Sequence, residues 1–204
     1  MTGKQVWRIL WGLAALCMAV VPLVACRAQR VREPEQAAVV AAVGVDVAEH
    51  GAVCVTVEVL IVVEGTDGIE RRLLSAKADD VASAYQSLLS GLPRAVLFGH
   101  CAVLVLGDGA TDVLLSKLLQ DPTLPPEMQV VTAPNAGTLL ACEGISTPAM
   151  GYDIQAILGG ERDVHCRVYE LLADGKRVSM RTLPHFFPAP KESGRLVEWT
   201  LTGE

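Results

Sequence analysis

The sequence predicts an α/β fold of the α+β kind: a mixed β-sheet flanked by helices, followed by a smaller, incomplete second unit. Three observations predict it. Two Val-dense segments within residues 37–63 flank a turn signal, helical apolar periodicity alternates with short apolar runs from residue 81 onward, and short helical pieces take over after residue 145. The resulting order of three strands, helix, strand, helix, strand, helix implies a sheet that is parallel in its βαβαβ part, with right-handed crossovers.

Residues 37–47 and 52–63 flank Ala48-Glu49-His50-Gly51 and read as a β-hairpin, since β-branched residues suit a pleated surface. In the second segment Val53, Val55, Val57, Val59, Ile61 and Val63 share one face and Cys54, Thr56 and Glu58 the other, the alternation of a half-exposed strand. Asp67-Gly68 signals a tight turn before a third strand at 69–77. Asp79 or Asp80 can then cap a helix in which Val81, Ala84, Tyr85, Leu88, Leu89 and Leu92 recur at helical spacing until Gly91-Leu92-Pro93 stops it.

Residues 96–106 are apolar almost throughout apart from His100, as in a central strand covered on both faces. A helix at 112–119, a strand at 127–132 and a helical turn or two at 137–142 follow. These elements bound a first domain at residues 37–145. The second, partial unit at 146–204 starts in the loop 144–151, carries helical pieces at 152–158 and 163–173, and is broken at Leu183-Pro184 and Pro188-Ala189-Pro190. It closes on a strand at 195–201 with no evident partner, an oddity because unpaired edges are a liability.

Ahead of the sheet, Lys4 and Arg8 form a basic head and residues 9–24 an apolar stretch, the layout of a secretory signal. The stretch ends in Leu23-Val24-Ala25-Cys26, which resembles a bacterial lipobox. Residues 1–25 are therefore expected to be a lipoprotein signal peptide, Cys26 the lipidation site, and 26–36 a tether. The other physical possibility is an uncleaved terminal anchor. Arg27, Arg30 and Arg32 suit a tether that faces anionic lipid. The expected location is a membrane, lipid-anchored on its extracytoplasmic face.

Composition narrows the partners. After residue 25 the chain holds 15 Lys and Arg against 23 Asp and Glu, a net charge of −8, and aromatics make up only 4% of the whole. Both argue against nucleic acid, which needs clustered cations or stacking platforms. The four cysteines beyond Cys26, namely Cys54, Cys101, Cys142 and Cys166, allow three pairings between which sequence does not choose. Cys54 and Cys101, in expected buried strands, read as small apolar residues. With no C-x-x-C spacing, no metal site is expected.

Catalytic signatures are missing. Gly107-Asp108-Gly109-Ala110-Thr111-Asp112 sits where a dinucleotide fingerprint would, but Asp112 replaces the third glycine and Asp108 sets a carboxylate where a pyrophosphate would arrive. It reads instead as a strand-to-helix turn whose Asp112 caps the helix. His50, His100, His165 and His185 are scattered; His100, in an expected core strand, reads as a hydrogen-bonded structural imidazole. Asp46, ending the first strand, reads as a turn or surface carboxylate. No catalytic residue and no cofactor are assigned.

Several stretches, in order, resemble the N-terminal portion of the Ger(x)C family, the lipoprotein C subunits of spore germinant receptors. They are residues 35–46 ending in Gly44-Val45-Asp46, then Leu92-Pro93-Arg94, residues 99–107 opening on Gly99-His100, Leu118-Leu119-Gln120-Asp121-Pro122, and Val168-Tyr169-Glu170-Leu171-Leu172 with Leu183-Pro184. The resemblance implies a non-enzymatic subunit that assembles and transmits a signal beside multi-span A- and B-type subunits at the spore inner membrane. Two departures stand out. Arg27-Ala28-Gln29-Arg30 replaces the aromatic-acidic-arginine run usual after the lipidated cysteine, and the C-terminal domain of the longer family members has no counterpart here, which suggests a short paralogue, a gene fragment or a non-functional remnant. The alternative reading, from another class, is an extracytoplasmic ligand-binding or scaffold lipoprotein unrelated to spores.

Overall fold

A computed structural model describes residues 37–63, 68–91, 95–122, 124–144, 146–161, 164–173, 178–188 and 197–201. The signal peptide, the tether and Cys26 lie outside these residues. The described elements are β1 (Ala37–Val47), β2 (Val53–Val62), β3 (Ile69–Ala78), α1 (Val81–Ser90), β4 (Ala95–Leu97), β5 (Val103–Gly107), α2 (Asp112–Leu119), β6 (Gln129–Ala133), α3 (Ala136–Ala141), α4 (Met150–Gly159), α5 (Val168–Ala173), β7 (Pro184–Pro188) and β8 (Val197–Leu201). Among the described residues the strands form one eight-stranded sheet in the order β3-β2-β1-β5-β6-β7-β8, with β4 also on β1. Strands β3, β2 and β1 run antiparallel, β1, β5, β6 and β7 run parallel, and β8 returns antiparallel on β7. This is the mixed, helix-flanked α/β sheet expected.

The hairpin forms with Val47 opposite Val53, joined by a 3₁₀ turn at Glu49–Gly51 in which His50 and Gly51 both take positive φ, 73° and 80°. Histidine and glycine are among the residues that tolerate this conformation. Further on, Asp80 caps α1 by accepting from Ser83 N at 2.9 Å. Helix α1 packs on β2 and β3, α3 on β1 and β2, and α4 on β1 and β5.

Several expectations are corrected. Strand β2 is not half-exposed: Thr56 and Glu58 are buried as deeply as the valines, at 5% and 0% exposure, because α3 and α4 cover their face. The apolar run 96–106 is not one strand. Both β4 and β5 pair with β1, which has a bulge between Val40 and Ala42, and residues 98–102 loop out opposite it. Cys101 N bonds Phe98 O and Ala102 N returns to Ala41 O, both at 2.9 Å, leaving His100 exposed in the turn.

The terminal strand has a partner, β7, whose prolines stand at its two ends, where a missing N–H does not break the ladder. Phe186 on β7 is fully buried and stacks on Trp199 of β8 with centroids 6.0 Å apart. Helix α2 is capped not by Asp112 but by Thr111, whose hydroxyl accepts from Leu114 N. Residues expected in a second unit share the sheet's core: Met150, Ile154, Leu158, Val168, Leu183 and Phe186 lie in the same buried cluster as Val45 and Val105.

Candidate functional site

An open α/β sheet offers ligands the crevice beyond the carboxyl ends of its parallel strands, where backbone N–H groups at helix starts can hold an anion. Here that crevice is bounded by the ends of β1, β5 and β6, and the chain fills it with its own carboxylate. Asp46, one residue from the end of β1, accepts from Ala136 N at 2.8 Å and Gly137 N at 2.9 Å, the first two amides of α3. Asn135 takes the amide of Thr138 at 2.7 Å.

Glycines make the approach possible. A Cβ on Gly44 would lie 3.1 Å from both Ala136 Cβ and Leu140 Cδ1, and a Cβ on Gly107 would run into Asp46 Oδ1. The turn Gly107-Asp108-Gly109 is seated against the end of β1, with Gly109 so close that a Cβ would be 2.7 Å from Val47 O. It is packed rather than open as a phosphate cradle. Asp46→Ala is expected to cost about 1–2 kcal/mol through the loss of the cap. Gly107→Ala should be destabilising in the parent but nearly neutral in the Asp46→Ala background, as read by urea unfolding of all four proteins; equal costs in both backgrounds would contradict this packing.

A second, deeper network was not anticipated. Glu58 is fully buried and accepts from Met150 N and Gly151 N, each at 2.8 Å, at the start of α4. Arg71 of β3 faces it, Nε to Oε1 2.6 Å, and another of its guanidinium nitrogens donates to Leu140 O near the end of α3. One ion pair thus joins an edge strand, the end of one helix and the start of the next. Next to it Asp153, 2% exposed, accepts from Ser146 N, Ser146 Oγ and Thr147 N and holds the loop that enters α4. Gly151 completes the fit, because a Cβ there would sit 2.7 Å from both Ala41 O and Ala42 Cβ.

Other polar groups are placed but not assembled for catalysis. Asp112 accepts from Met180 N at 2.7 Å. Thr132 Oγ1 donates to Pro184 O at 3.2 Å, which leaves it to accept from His185 Nδ1 at 3.0 Å, with Asp108 Oδ1 3.8 Å from the same nitrogen. His50, His100 and His165 are exposed and lie on separate elements. Among the described residues no three His, Cys, Asp or Glu side chains gather to hold a metal ion, and no helix is long and apolar enough to cross a membrane.

Cys54, Cys101, Cys142 and Cys166 are free thiols. Cys101 is buried, although in the loop before β5 rather than in a strand. Burial pushes the Cys101 thiol up to about 12 and that of Cys166 to about 11, from the ordinary 9.0. A folded-state value raised in this way means that the native chain keeps protons the unfolded chain gives up. Stability from these thiols is full below pH 9 and is lost as pH rises from 9 toward 12. In native protein at pH 8, iodoacetamide is expected to leave Cys101 and Cys166 unmodified, with mass spectrometry of the digested protein as the check.

Residues 30–164 match the family model described as the spore germination protein N-terminal domain. No curated protein and no solved structure matches the chain.

Proposed function

From the premise that the chain belongs to the family of the spore germination protein N-terminal domain, we propose that it serves as the C-type subunit of a germinant receptor. In this reading a lipid on Cys26 holds it on the extracytoplasmic face of the spore inner membrane. Multi-span A- and B-type subunits are its partners, and its work is assembly and signal transmission.

The observation that carries an assembly role over chemistry is the self-filled crevice. The amides that would greet an anionic substrate at α3 and α4 are taken by Asp46 and Glu58. In-frame deletion of the coding sequence is expected to slow nutrient-triggered germination of spores while leaving germination by non-nutrient agents unchanged, and an unaffected nutrient response would sink the reading. Separately, Cys26→Ala is expected to move the protein from the membrane to the soluble fraction without changing its melting temperature, because stable anchoring rests on the acyl chains. Full membrane retention of that variant would mean that residues 9–24 stay on as the anchor.

A further inference from the structure

We propose that the outer edge of β3 is a self-recognition surface, on which β3 of a second copy adds antiparallel and continues the sheet across a two-fold axis. This goes beyond the receptor role and does not depend on it. Strand β3 ends the sheet order, and no described strand pairs with its outer side, whereas its inner side is registered with β2 over all ten residues, from Val62 opposite Ile69 to Val53 opposite Ala78. An edge of that length presents a row of unmatched backbone donors and acceptors to any strand that fits.

The side chains say which strand fits. Ile69 and Leu73 stand on the face that carries Glu58 and are exposed, at 56% and 36%. Glu70 and Arg72 stand on the other face, 45% and 54% exposed, and bond each other through Arg72 Nε at 2.8 Å and a second guanidinium nitrogen at 2.9 Å. A two-fold axis normal to the sheet keeps like faces together, so it must pass beside a residue that meets its own copy. Centred on Arg71, the pairing sets Ile69 against Leu73 on one face and Glu70 against Arg72 on the other, twice each.

Neighbouring registers lose this match. Centred on Glu70, two carboxylates meet at the axis; centred on Arg72, two exposed guanidiniums meet and Glu70 faces Leu74; centred on Leu73, Ile69 faces Lys77. In the favoured register the residue at the axis is Arg71, whose charge is already turned inward onto Glu58 and the carbonyl of Leu140, leaving 19% of its side chain exposed. It is the one cation of the strand that can face its copy at little electrostatic cost. Charges on an edge strand ordinarily keep it solitary; here their order along the strand is complementary to itself. The paired stretch is short, so the association is weak, suited to copies held at high local concentration.

The test is sedimentation velocity of the full chain in mild detergent across a concentration series. The parent is expected to show a monomer–dimer equilibrium that weakens as salt rises. Glu70→Arg and Arg72→Glu should each weaken it by about tenfold, since each turns two attractive cross-strand pairs into repulsive ones, and the combined exchange should restore it. Leu73→Lys should dissociate the dimer in every background. All three positions changed are exposed, so melting temperatures should stay at the parent value. A chain that is monomeric at every concentration, or a dimer that ignores the single reversals or is not rescued by the exchange, overturns the proposal.

Discussion

Glu58→Gln is expected to destabilise the domain by about 3 kcal/mol and lower its melting temperature by roughly 10 °C, the scale found when one partner of a buried ion pair is removed. The carboxylate serves three donors at once: Met150 N, Gly151 N and the Arg71 guanidinium. An amide has one acceptor oxygen, so at least one of the two α4 amides or the guanidinium loses its partner, and the new NH₂ group confronts donors. Arg71 then keeps the Leu140 carbonyl but has no counter-charge opposite it. Urea unfolding is the measurement, and a cost below about 1 kcal/mol would show that water reaches the site. Replacing both Glu58 and Arg71 by Met should recover only part of the loss. It removes the stranded charge, but the α4 amides stay uncapped.

Gly151→Ala is expected to be destabilising by about 2–3 kcal/mol, as for overpacked cores. The direction of this effect is diagnostic, because alanine in a helix is ordinarily favoured over glycine by about 1 kcal/mol. Its Cβ would press on Ala41 O and Ala42 Cβ, and the least costly relief is to lift α4 away from β1. That movement draws Met150 N and Gly151 N off Glu58, so the two substitutions act on one contact. A double-mutant cycle should find Glu58→Gln and Gly151→Ala less than additive by about 1–2 kcal/mol. Strict additivity would mean that the helix start and the ion pair are independent.

Much of the fold was legible in the sequence where its causes are local. Helix α2 spans Asp112–Leu119 as its periodicity indicates, and the β1–β2 hairpin follows from two Val-dense runs and a turn. The features misread all depend on distant partners. Glu58 looks like a solvated residue on an alternating strand until the helices that start at Ala136 and Met150 cover it. His100 leaves the strand because β1 has a bulge opposite it, and β7 looks like a proline-broken loop until β6 and β8 pair with it. Asp46 was visible as part of Gly44-Val45-Asp46, but its purpose lies at Ala136, ninety positions away. One signal was available for the deeper network: a lone carboxylate in a run of valines, followed by an arginine in the next strand.

The bond between Glu58 and the start of α4 also sets a timetable. Its two amide partners are 92 and 93 positions downstream, so a chain growing from its N-terminus can zip β1, β2 and β3 together while the carboxylate has only Arg71, 13 positions on, to bind. Until residue 151 arrives, that carboxylate is best left in water, and the helix-bearing face of the hairpin stays open around it. The helix-bearing face of the first three strands is thus kept from being covered early by its own ion pair. Covering that face depends on contacts of long sequence separation, which form at a slower pace than local ones.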